Sequence, residues 1–395
     1  MTKPNTKSFP LKPLAASLAA LGFSTVVLAA PQDGVVRAGS ASISQSGSLT
    51  QIQQNSDRAV IDWRSFSVGA LESVAFNQPT RQSATLNRVT GDQVSTILGK
   101  ISANGQVVLI NPNGIVFGAG AQINVGGLIA STANISNKNF MDGRLEFDQP
   151  GKPGASILNQ GTISAADGGL VALVAPSVRN DGIIQARLGK IALGAGDTFT
   201  IDLYGDQLIN LALSPEQAAH IVQTWQIHAD GGHVVLVTAP TAKAVLDQVI
   251  NMSGTIRADS IAEHNGKIVL LGAGGEVAVS GQLSAQGQNT GERGGSIAVL
   301  GDTIHLADSA NLDASGAAGG GTIHVGGAWQ GSGDTYRAQH TDIAAGARLA
   351  ASATDSGDGG EVVVWSDQDT RYAGAIAARG GANGGNGGQI EVSGK

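Results

Sequence analysis

Residues 104–135 read NGQVVLINPNGIVFGAGAQINVGGLIASTANI and hold two apolar runs, at 107–110 and 115–117, on either side of a turn signal. The turn is Asn111-Pro112-Asn113-Gly114. Proline presets φ for the second turn position, asparagine tolerates the third and glycine closes the turn, so a type I turn is predicted. Apolar runs that are bounded by turns and have no helical period are typical of strands buried on more than one side, as in a parallel stack.

Further short motifs occur in a fixed order around this stretch, between residues 60 and 136. They are Ala75-Phe76-Asn77-Gln78-Pro79, Leu86-Asn87-Arg88-Val89-Thr90-Gly91, Ile97-Leu98-Gly99-Lys100-Ile101, Leu109-Ile110-Asn111-Pro112-Asn113-Gly114-Ile115-Val116-Phe117-Gly118 and Val125-Gly126-Gly127-Leu128-Ile129-Ala130-Ser131-Thr132. Together they resemble the secretion domain of two-partner secretion exoproteins, the filamentous-haemagglutinin and high-molecular-weight adhesin family. Many members carry an Asn-Pro-Asn-Leu motif upstream, and here Phe76-Asn77-Gln78-Pro79 stands near that place, which favours the adhesin-like branch.

The composition favours one long repetitive fold over two or three ordinary domains. Glycine contributes 57 of 395 residues, about twice the usual share, while aromatic residues make up only 4% and charged residues 14%. Glycine at corners with valine and isoleucine between them suits a stack of short strands. Cysteine is absent. This absence fits a chain that passes an outer-membrane pore unfolded, and it fits equally a large repetitive fold that needs no disulfides.

The first 29 residues are predicted to be a secretory signal peptide. Lys3, Lys7 and Lys12 precede a stretch of about 15 apolar or small residues, which is too short to span a bilayer. We place the cleavage after Ala29 rather than Ala30, because Pro31 would otherwise follow the scissile bond directly. Removal of the three lysines takes the formal net charge from −7 to −10. This acidic balance argues against a nucleic-acid partner.

After the secretion motif the chain repeats a two-part unit at intervals of about 20 to 30 residues. The first part recurs as Gly161-Thr162-Ile163-Ser164-Ala165 and Gly254-Thr255-Ile256-Arg257-Ala258, and the second as Gly189-Lys190-Ile191-Ala192-Leu193 and Gly266-Lys267-Ile268-Val269-Leu270. Short strands with glycine corners exclude helical repeats. We therefore predict an all-β chain folded as a right-handed parallel β-helix, the hand following from the usual crossover rule.

Two kinds of additional element are predicted on this solenoid. Residues 33–55 alternate in polarity and should form strands that cap its front end, with Trp63 and Phe66 as core anchors behind them. Residues 199–213 should form a hairpin with its turn at Gly205-Asp206, and residues 214–222 and 241–250 should form short helices. These excursions from the solenoid are candidates for binding or for lateral decoration.

The sequence contains no recognisable active site. The seven histidines show no metal-ligand spacing, and neither a nucleophile elbow nor a phosphate loop occurs. Glycine-rich residues 380–388 lack the aspartates of a calcium coil. We therefore expect no cofactor, no metal and no enzymatic activity. The enzymatic alternative is a polysaccharide-degrading β-helix, which would need carboxylates clustered on one face.

The resemblance implies a division into a signal peptide (1–29), a secretion domain (30–280) and further β-helix repeats (281–395) that stop directly after a repeat strand, as in a truncated product or a fragment. It implies export from a Gram-negative bacterium through the periplasm to the medium or cell surface. The partner would be an outer-membrane transporter with POTRA domains. The residues expected to carry the secretion signal are Phe76, Asn77, Gln78, Pro79, Asn111, Pro112, Asn113, Gly114 and Ile115.

For Asn111 and Asn113, a role in fixing the turn is an equal alternative to recognition. An adhesin or haemagglutinin that binds a host-cell receptor or glycan is the first expectation for the exported protein. The alternatives are the N-terminal part of a cytolysin or contact-dependent toxin, and a structural surface fibre. A toxin would need a non-repetitive C-terminal domain, and residues 281–395 continue the repeat instead.

Overall fold

The computed structural model describes residues 30–202, 209–212, 219–240 and 248–394. These residues form almost exclusively β-strands, with one short α-helix, α1 (Asn137–Met141), and one 3₁₀ turn (Trp329–Gly331). No helix in the described ranges is long and apolar enough to cross a membrane. The strands are β1 (Val35–Ala38), β2 (Ala41–Ser46), β3 (Leu49–Gln54), β4 (Arg58–Trp63), β5 (Ser73–Asn77), β6 (Ala84–Val89), β7 (Ser95–Ile97), β8 (Lys100–Ala103), β9 (Gln106–Ile110), β10 (Ile115–Phe117), β11 (Gln122–Val125), β12 (Gly127–Ser131), β13 (Glu146–Phe147), β14 (Ser156–Asn159), β15 (Thr162–Ala165), β16 (Leu170–Ala175), β17 (Ser177–Asn180), β18 (Ile183–Gln185), β19 (Lys190–Ala195), β20 (Thr198–Ile201), β21 (Ile209–Ala212), β22 (His220–Gln223), β23 (Gln226–His228), β24 (His233–Thr238), β25 (Gln248–Met252), β26 (Thr255–Arg257), β27 (Lys267–Val279), β28 (Gln282–Ser284), β29 (Ser296–Leu306), β30 (Asn311–Asp313), β31 (Thr322–Val325), β32 (His340–Ile343), β33 (Arg348–Ala350), β34 (Glu361–Ser366), β35 (Asp369–Tyr372), β36 (Ala375–Ala377) and β37 (Gln389–Gly394).

Parallel pairing of successive copies produces a three-sided parallel β-helix, which confirms the predicted fold class. The first face runs through β4, β6, β9, β12, β16, β19, β24, the start of β27, the start of β29, β31, β34 and β37. The second runs through β7, β10, β14, β17, β22, β25, the ends of β27 and β29, β32 and β35. The third runs from β3 through β5, β8, β11, β15, β18, β23, β26, β28, β30 and β33 to β36.

The front end is capped by antiparallel strands, as the alternating sequence of residues 33–55 predicted. β1 pairs antiparallel with β4, and β2 forms an antiparallel hairpin with β3, which then starts the third face. Behind the cap, Trp63 and Phe66 are buried and pack edge to face with ring centroids 5.5 Å apart. Both aromatic rings therefore serve core packing, as expected.

The first face is buried on both of its sides along the front half of the solenoid. In β9, Val107 and Leu109 point into the interior of the β-helix, while Val108 and Ile110 point outward into a second apolar cluster. This arrangement explains why the apolar run of residues 107–110 shows no alternation, and it confirms that these strands are buried on more than one side.

The second apolar cluster is closed by an excursion made of α1, β13 and the β20–β21 hairpin. The rings of Phe147 and Phe199 stack with centroids 4.2 Å apart and an interplanar angle of 8°. Arg58 on the first face lies 5.3 Å from the centroid of Phe140, which α1 carries. The hairpin confirms the prediction for residues 199–213, although its turn at Gly205-Asp206 lies outside the described residues.

The two predicted short helices are wrong where the structure describes them. His220 to Val222 lie in β22, and Gln248 to Ile250 lie in β25, both on the second face. Ile221 and Ile250 are fully buried and pair with each other as successive layers of the interior. Rung stacking therefore overrides the local helix signals, because each apolar residue gains a buried position by joining the strand ladder. The remaining parts of these predictions, 214–218 and 241–247, lie outside the described residues.

A column of glycines runs along the corner that leads into the first face. Its members each precede a first-face strand and are Gly126, Gly169, Gly189, Gly232, Gly266, Gly295, Gly321, Gly360 and Gly388. A Cβ on Gly321 would lie 2.0 Å from the carbonyl oxygen of Gly295, and one on Gly360 would lie 1.9 Å from that of Gly321. The repeated glycine of the sequence is therefore required by the close approach of successive backbones.

Candidate secretion-signal site

Residues 111–114 form the tight connection between β9 on the first face and β10 on the second. The backbone N–H of Gly114 donates to the carbonyl of Asn111 at 3.0 Å, which closes the predicted β-turn. Other connections between the same two faces range from the single residue between β16 and β17 to the segment between β12 and β14, which contains α1 and β13.

Asn111 is fully buried at 0% exposure, and every polar group of its side chain is used. Its Nδ2 donates to the carbonyl of Gln93 and to Oγ of Ser95, both at 2.9 Å. Its Oδ1 accepts from the backbone N–H of Asn113 at 2.9 Å and from Nδ2 of Asn113 at 2.7 Å. The side chain therefore connects the turn by hydrogen bonds to the preceding rung, at Gln93 and Ser95 near the start of β7.

Asn113 is partly buried and points back over the same preceding rung. Its Nδ2 also donates to the carbonyl of Gly91 at 3.0 Å. Its Oδ1 is buried and has no hydrogen-bond partner among the described residues. The two asparagines thus form one hydrogen-bonded unit. All side-chain polar atoms of Asn111 are hydrogen-bonded, whereas Oδ1 of Asn113 is buried without a partner among the described residues.

The other residues of the motif shape the corner. Gly114 has φ of 119°, a region that favours glycine, and its carbonyl accepts from the N–H of Ser95 at 3.1 Å. Ile115 is fully buried, and the carbonyl of Pro112 accepts from the N–H of Lys152 at 2.9 Å. Residues 111–115 are consequently held from the rung before and from the rung after.

The upstream motif lies at the corner between the third and first faces. Phe76 is buried in the interior core and Gln78 is 6% exposed, whereas Asn77 and Pro79 are exposed. Nε2 of Gln78 donates to the carbonyls of Ser83 and Gln106, both at 3.1 Å, and to Oγ1 of Thr85 at 3.0 Å. Its Oε1 accepts from the N–H of Gly105 at 2.9 Å. Gln78 therefore joins its own corner to the next one.

The structure does not bring the two motifs into one contiguous site. Each is a separate buried polar cluster at a different corner of the front rungs. Sequence reasoning did not single out their hydrogen-bond partners as site residues: these are Ser95 for Asn111, and Asn104 and Thr85 for Gln78. These partners could have been suspected from the sequence, because they are polar residues inside or beside apolar strand runs and buried polar groups require hydrogen-bond partners.

Ala30 is the first described residue, so the predicted cleavage site at Ala29 and Ala30 falls at the boundary of the description. Within the described ranges, no group of three or more histidine, aspartate or glutamate side chains is arranged to hold a metal ion. Three outward-facing histidines instead pair singly with carboxylates of the next rung: His324 with Glu361 at 2.6 Å, His305 with Asp342 at 3.3 Å and His340 with Asp369 at 3.2 Å.

A capped parallel β-helix with two buried polar corners near its front end defines the chain as a secretion-type β-helix. The model of the family described as "TPS secretion domain" matches residues 28–285. The chain belongs to this family and contains the secretion domain of a two-partner secretion exoprotein. The family resemblance inferred from the sequence motifs is therefore confirmed.

The chain also resembles individual proteins. Over 249 residues it is 35% identical to a heme/hemopexin-binding protein of Haemophilus influenzae strain Rd, a match that covers 61% of this chain and 27% of that protein. A second Haemophilus influenzae protein of the same name is 33% identical over 242 residues, covering 55% of this chain and 25% of the relative. The chain thus spans about a quarter of the length of these relatives.

Among solved structures, the crystal structure of the HMW1 secretion domain from Haemophilus influenzae superposes with a TM-score of 0.81 at 34% identity. That match covers 92% of this chain and 95% of the other. Family membership also fixes the location: proteins of this family are secreted across the outer membrane of Gram-negative bacteria through the periplasm. The family and the relatives are not enzymes, in agreement with the expectation from the sequence.

Proposed function

We propose that residues 30–280 direct export through a dedicated outer-membrane transporter whose periplasmic POTRA domains engage this chain before it folds. The observation that carries this proposal is the complete burial of Asn111 in the folded domain. A transporter that met the folded β-helix would find neither this side chain nor its hydrogen-bonding groups accessible. Recognition of the motif therefore belongs to the extended chain.

The strand pairing supports the same order of events. POTRA domains bind extended segments by adding a strand, which requires a free backbone edge. In the folded domain β9 pairs with β6 on one side and β12 on the other, and β10 pairs with β7 and β14. These edges are open only before rung stacking. Folding outside the cell then removes the bound segment from the transporter's reach, so stacking favours net outward movement.

Secretion into the medium tests the proposal. The chain is expressed with and without a cognate two-partner secretion transporter as wild type, Asn111→Ala, Gln78→Ala and Asn77→Ala. Export should depend on the transporter and fall in all three variants, because the transporter meets the extended chain; Asn77→Ala isolates recognition, since Asn77 is exposed in the folded domain and its loss should leave stability unchanged. Release without any transporter would contradict the proposal.

A distal destabilising variant separates recognition from folding. Leu312→Ala creates a cavity in β30, outside the proposed secretion domain, and should cost about 2–5 kcal/mol of unfolding free energy. If Asn111→Ala is secreted less than Leu312→Ala at equal or smaller loss of stability, the motif is read by the transporter. Equal losses of secretion at equal losses of stability would assign the asparagine to the turn alone.

For the exported protein we propose a role at the cell surface as an adhesin, supported by the motifs of residues 75–132 that resemble the high-molecular-weight adhesin family. A second candidate, capture of heme or hemopexin, is supported by the names of the two relatives. Binding of the full-length exoprotein to epithelial cells, compared with its binding to immobilised hemopexin, discriminates the two. Saturable binding to hemopexin alone would replace the adhesin proposal.

A further inference from the structure

Trp225 lies at the corner where the second face turns into the third, in a column of otherwise glycine residues. The N–H of Gln226 donates to the carbonyl of Gly182, and the N–H of Thr255 donates to the carbonyl of Trp225 one rung later. The equivalent positions in the two rungs before and the two rungs after are Gly161, Gly182, Gly254 and Gly281. A tryptophan therefore replaces the residue that this corner uses in the surrounding rungs.

The indole of Trp225 is available to a ligand. The residue is 54% exposed, whereas Trp63 and Trp365 are buried. Among the described residues, its ring makes no aromatic, cation–π or hydrogen-bond contact. Gly182 and Gly254 place no side chain beside it from the neighbouring rungs. The ring thus offers a large apolar face and a free N–H group to a flat partner.

A column of neutral hydrogen-bonding side chains begins directly after this tryptophan. Its members occupy the same outward position on four successive strands of the third face, β23, β26, β28 and β30, and are Gln226, Thr255, Gln282 and Asn311. Within the described ranges, none of these four side chains makes a hydrogen bond. The column is bounded by Ile183 in front and by Arg348 behind. It therefore presents one unpaired neutral donor and acceptor group per rung.

The charged groups next to this column satisfy one another. Nε and Nη2 of Arg257 donate to the two carboxylate oxygens of Asp230 at 3.0 and 2.7 Å. The carboxylate of Asp259 accepts from the N–H of Gln286 at 2.9 Å and from Oγ of Ser284. On the described strands β23 to β30 of this face, no lysine or arginine is left unpaired. An acidic polymer or a nucleic acid is therefore disfavoured, because its charges would find no free cation there.

We propose that Trp225 and the neutral column bind an extended, uncharged oligosaccharide that lies along the solenoid axis with one sugar residue per rung. Stacked rungs repeat every 4.8 Å or so, close to the length of one pyranose residue. One sugar packs the apolar C–H side of its ring on the indole, over Gly254. The hydroxyls of the following sugars exchange hydrogen bonds with Gln282 and Asn311, whose amides both donate and accept.

This site exists only after the rungs have stacked, so it is independent of recognition by the transporter. It supplies a ligand class for the proposed surface adhesin but does not rest on that role, because binding is measured with the purified chain. Secretion of Trp225→Gly at the wild-type level would separate this site from the export signal.

The test is calorimetric titration of the purified, folded chain with two β-1,4-linked neutral tetrasaccharides, cellotetraose and chitotetraose. Tryptophan fluorescence reports contact with the indole. Trp225→Gly should weaken binding by about tenfold or more and abolish the fluorescence change, because the stacking surface is lost. It should unfold like wild type, since glycine is the residue of the neighbouring rungs. Trp225→Phe keeps a smaller ring and should bind with intermediate affinity.

Two further variants check the geometry. Gln282→Ala/Asn311→Ala should weaken binding of the tetrasaccharide but not of cellobiose, because a disaccharide stacked on Trp225 does not reach these later rungs. Trp329→Leu, which removes a half-buried tryptophan outside the third face, should bind as wild type. Thermal unfolding of each variant verifies that it is folded.

Three results would overturn the proposal: neither tetrasaccharide binds at millimolar concentration, Trp225→Gly binds as tightly as wild type, or oligogalacturonate binds more tightly than the neutral sugars. Sedimentation of the chain alone tests a different occupant. A concentration-dependent dimer that Trp225→Gly abolishes would assign the indole to contact with a second copy of this chain and would also overturn the saccharide site.

Discussion

Asn104 and Gln78 lie 26 positions apart in the sequence and hold two consecutive corners together by a reciprocal pair of hydrogen bonds. The N–H of Gln78 donates to Oδ1 of Asn104 at 2.7 Å, and Nδ2 of Asn104 donates to the carbonyl of Gln78 at 2.7 Å. A side chain thus replaces the strand ladder at a corner where the backbones diverge.

We predict that Asn104→Ala lowers the free energy of unfolding by about 1–3 kcal/mol, because two backbone groups of a partly buried corner lose their partner. Urea denaturation of the purified chain measures the change. Asn77→Ala is the control, since Asn77 is exposed and should change stability by less than about 0.5 kcal/mol. If both variants unfold at the wild-type midpoint, the reciprocal pair does not stabilise the corner.

The second prediction concerns the chemistry of the buried turn. Asn111→Asp keeps an acceptor for Asn113 but replaces the Nδ2 donor with an oxygen that faces the carbonyl of Gln93. A buried carboxylate against an acceptor costs more than a small cavity. Asn111→Asp should therefore be less stable than Asn111→Ala at neutral pH.

Lowering the pH provides the internal check on that prediction. Protonation of the introduced carboxyl restores one donor, so the gap between Asn111→Asp and Asn111→Ala should narrow as the pH falls. Chemical denaturation at several pH values gives both quantities. An aspartate variant that matches or exceeds the alanine variant at neutral pH would show that the donor to Gln93 and Ser95 contributes little.

Much of the fold was predictable from the sequence because glycine corners and short apolar strands recur with a physical cause. The repeat predicted the rungs, and residues 107–110 predicted burial on both sides. The two helix predictions failed at the described residues 220–222 and 248–250, because local helix signals compete there with a strand ladder that single-sequence reasoning does not weigh. At the candidate site, the motif residues could be identified from the sequence. Their hydrogen-bond partners, such as Ser95 and Asn104, could not, because the corners of successive rungs come into contact only when the rungs stack.

The third prediction tests the glycine column. Gly321→Ala places a Cβ 2.0 Å from the carbonyl oxygen of Gly295, a contact with backbone that no rotamer relieves. Either β31 shifts or its hydrogen bond to Gly295 breaks, and we expect a loss of at least about 2 kcal/mol in the free energy of unfolding.

Gly387→Ala is the matched control in the same kind of corner, because its nearest contact, the carbonyl oxygen of Ala378, would lie 3.9 Å away. This variant should be neutral or slightly stabilising, since alanine reduces the entropy of the unfolded chain. Thermal unfolding of the two variants side by side decides the matter. Equal melting temperatures would mean that the column tolerates a side chain and that its glycines have another cause.

The last prediction concerns Glu292, which is only 5% exposed and holds two neighbouring loops. Its Oε1 accepts from the N–H of Ala262 at 2.9 Å, and its Oε2 accepts from the N–H of Asn289 at 2.9 Å. Burial acts to raise the pKa of this carboxyl, but hydrogen bonds from Asn289 and Ala262 outweigh it and hold the pKa below the usual value.

A carboxyl whose pKa is lower in the folded than in the unfolded state stabilises the fold above its unfolded pKa, and this stabilisation is lost as the pH falls through the folded pKa. Glu292→Gln should therefore be destabilised by about 1–3 kcal/mol at neutral pH, because one acceptor oxygen becomes a donor that faces an N–H group. The difference in unfolding free energy between Glu292→Gln and wild type should shrink in acid, where the wild-type carboxyl is protonated and also loses one acceptor. Glu263→Gln, at an exposed position nearby, should follow wild type throughout. Unfolding curves from neutral to acidic pH test this, and a constant gap would show that ionisation of Glu292 does not contribute to the rear loops' stability.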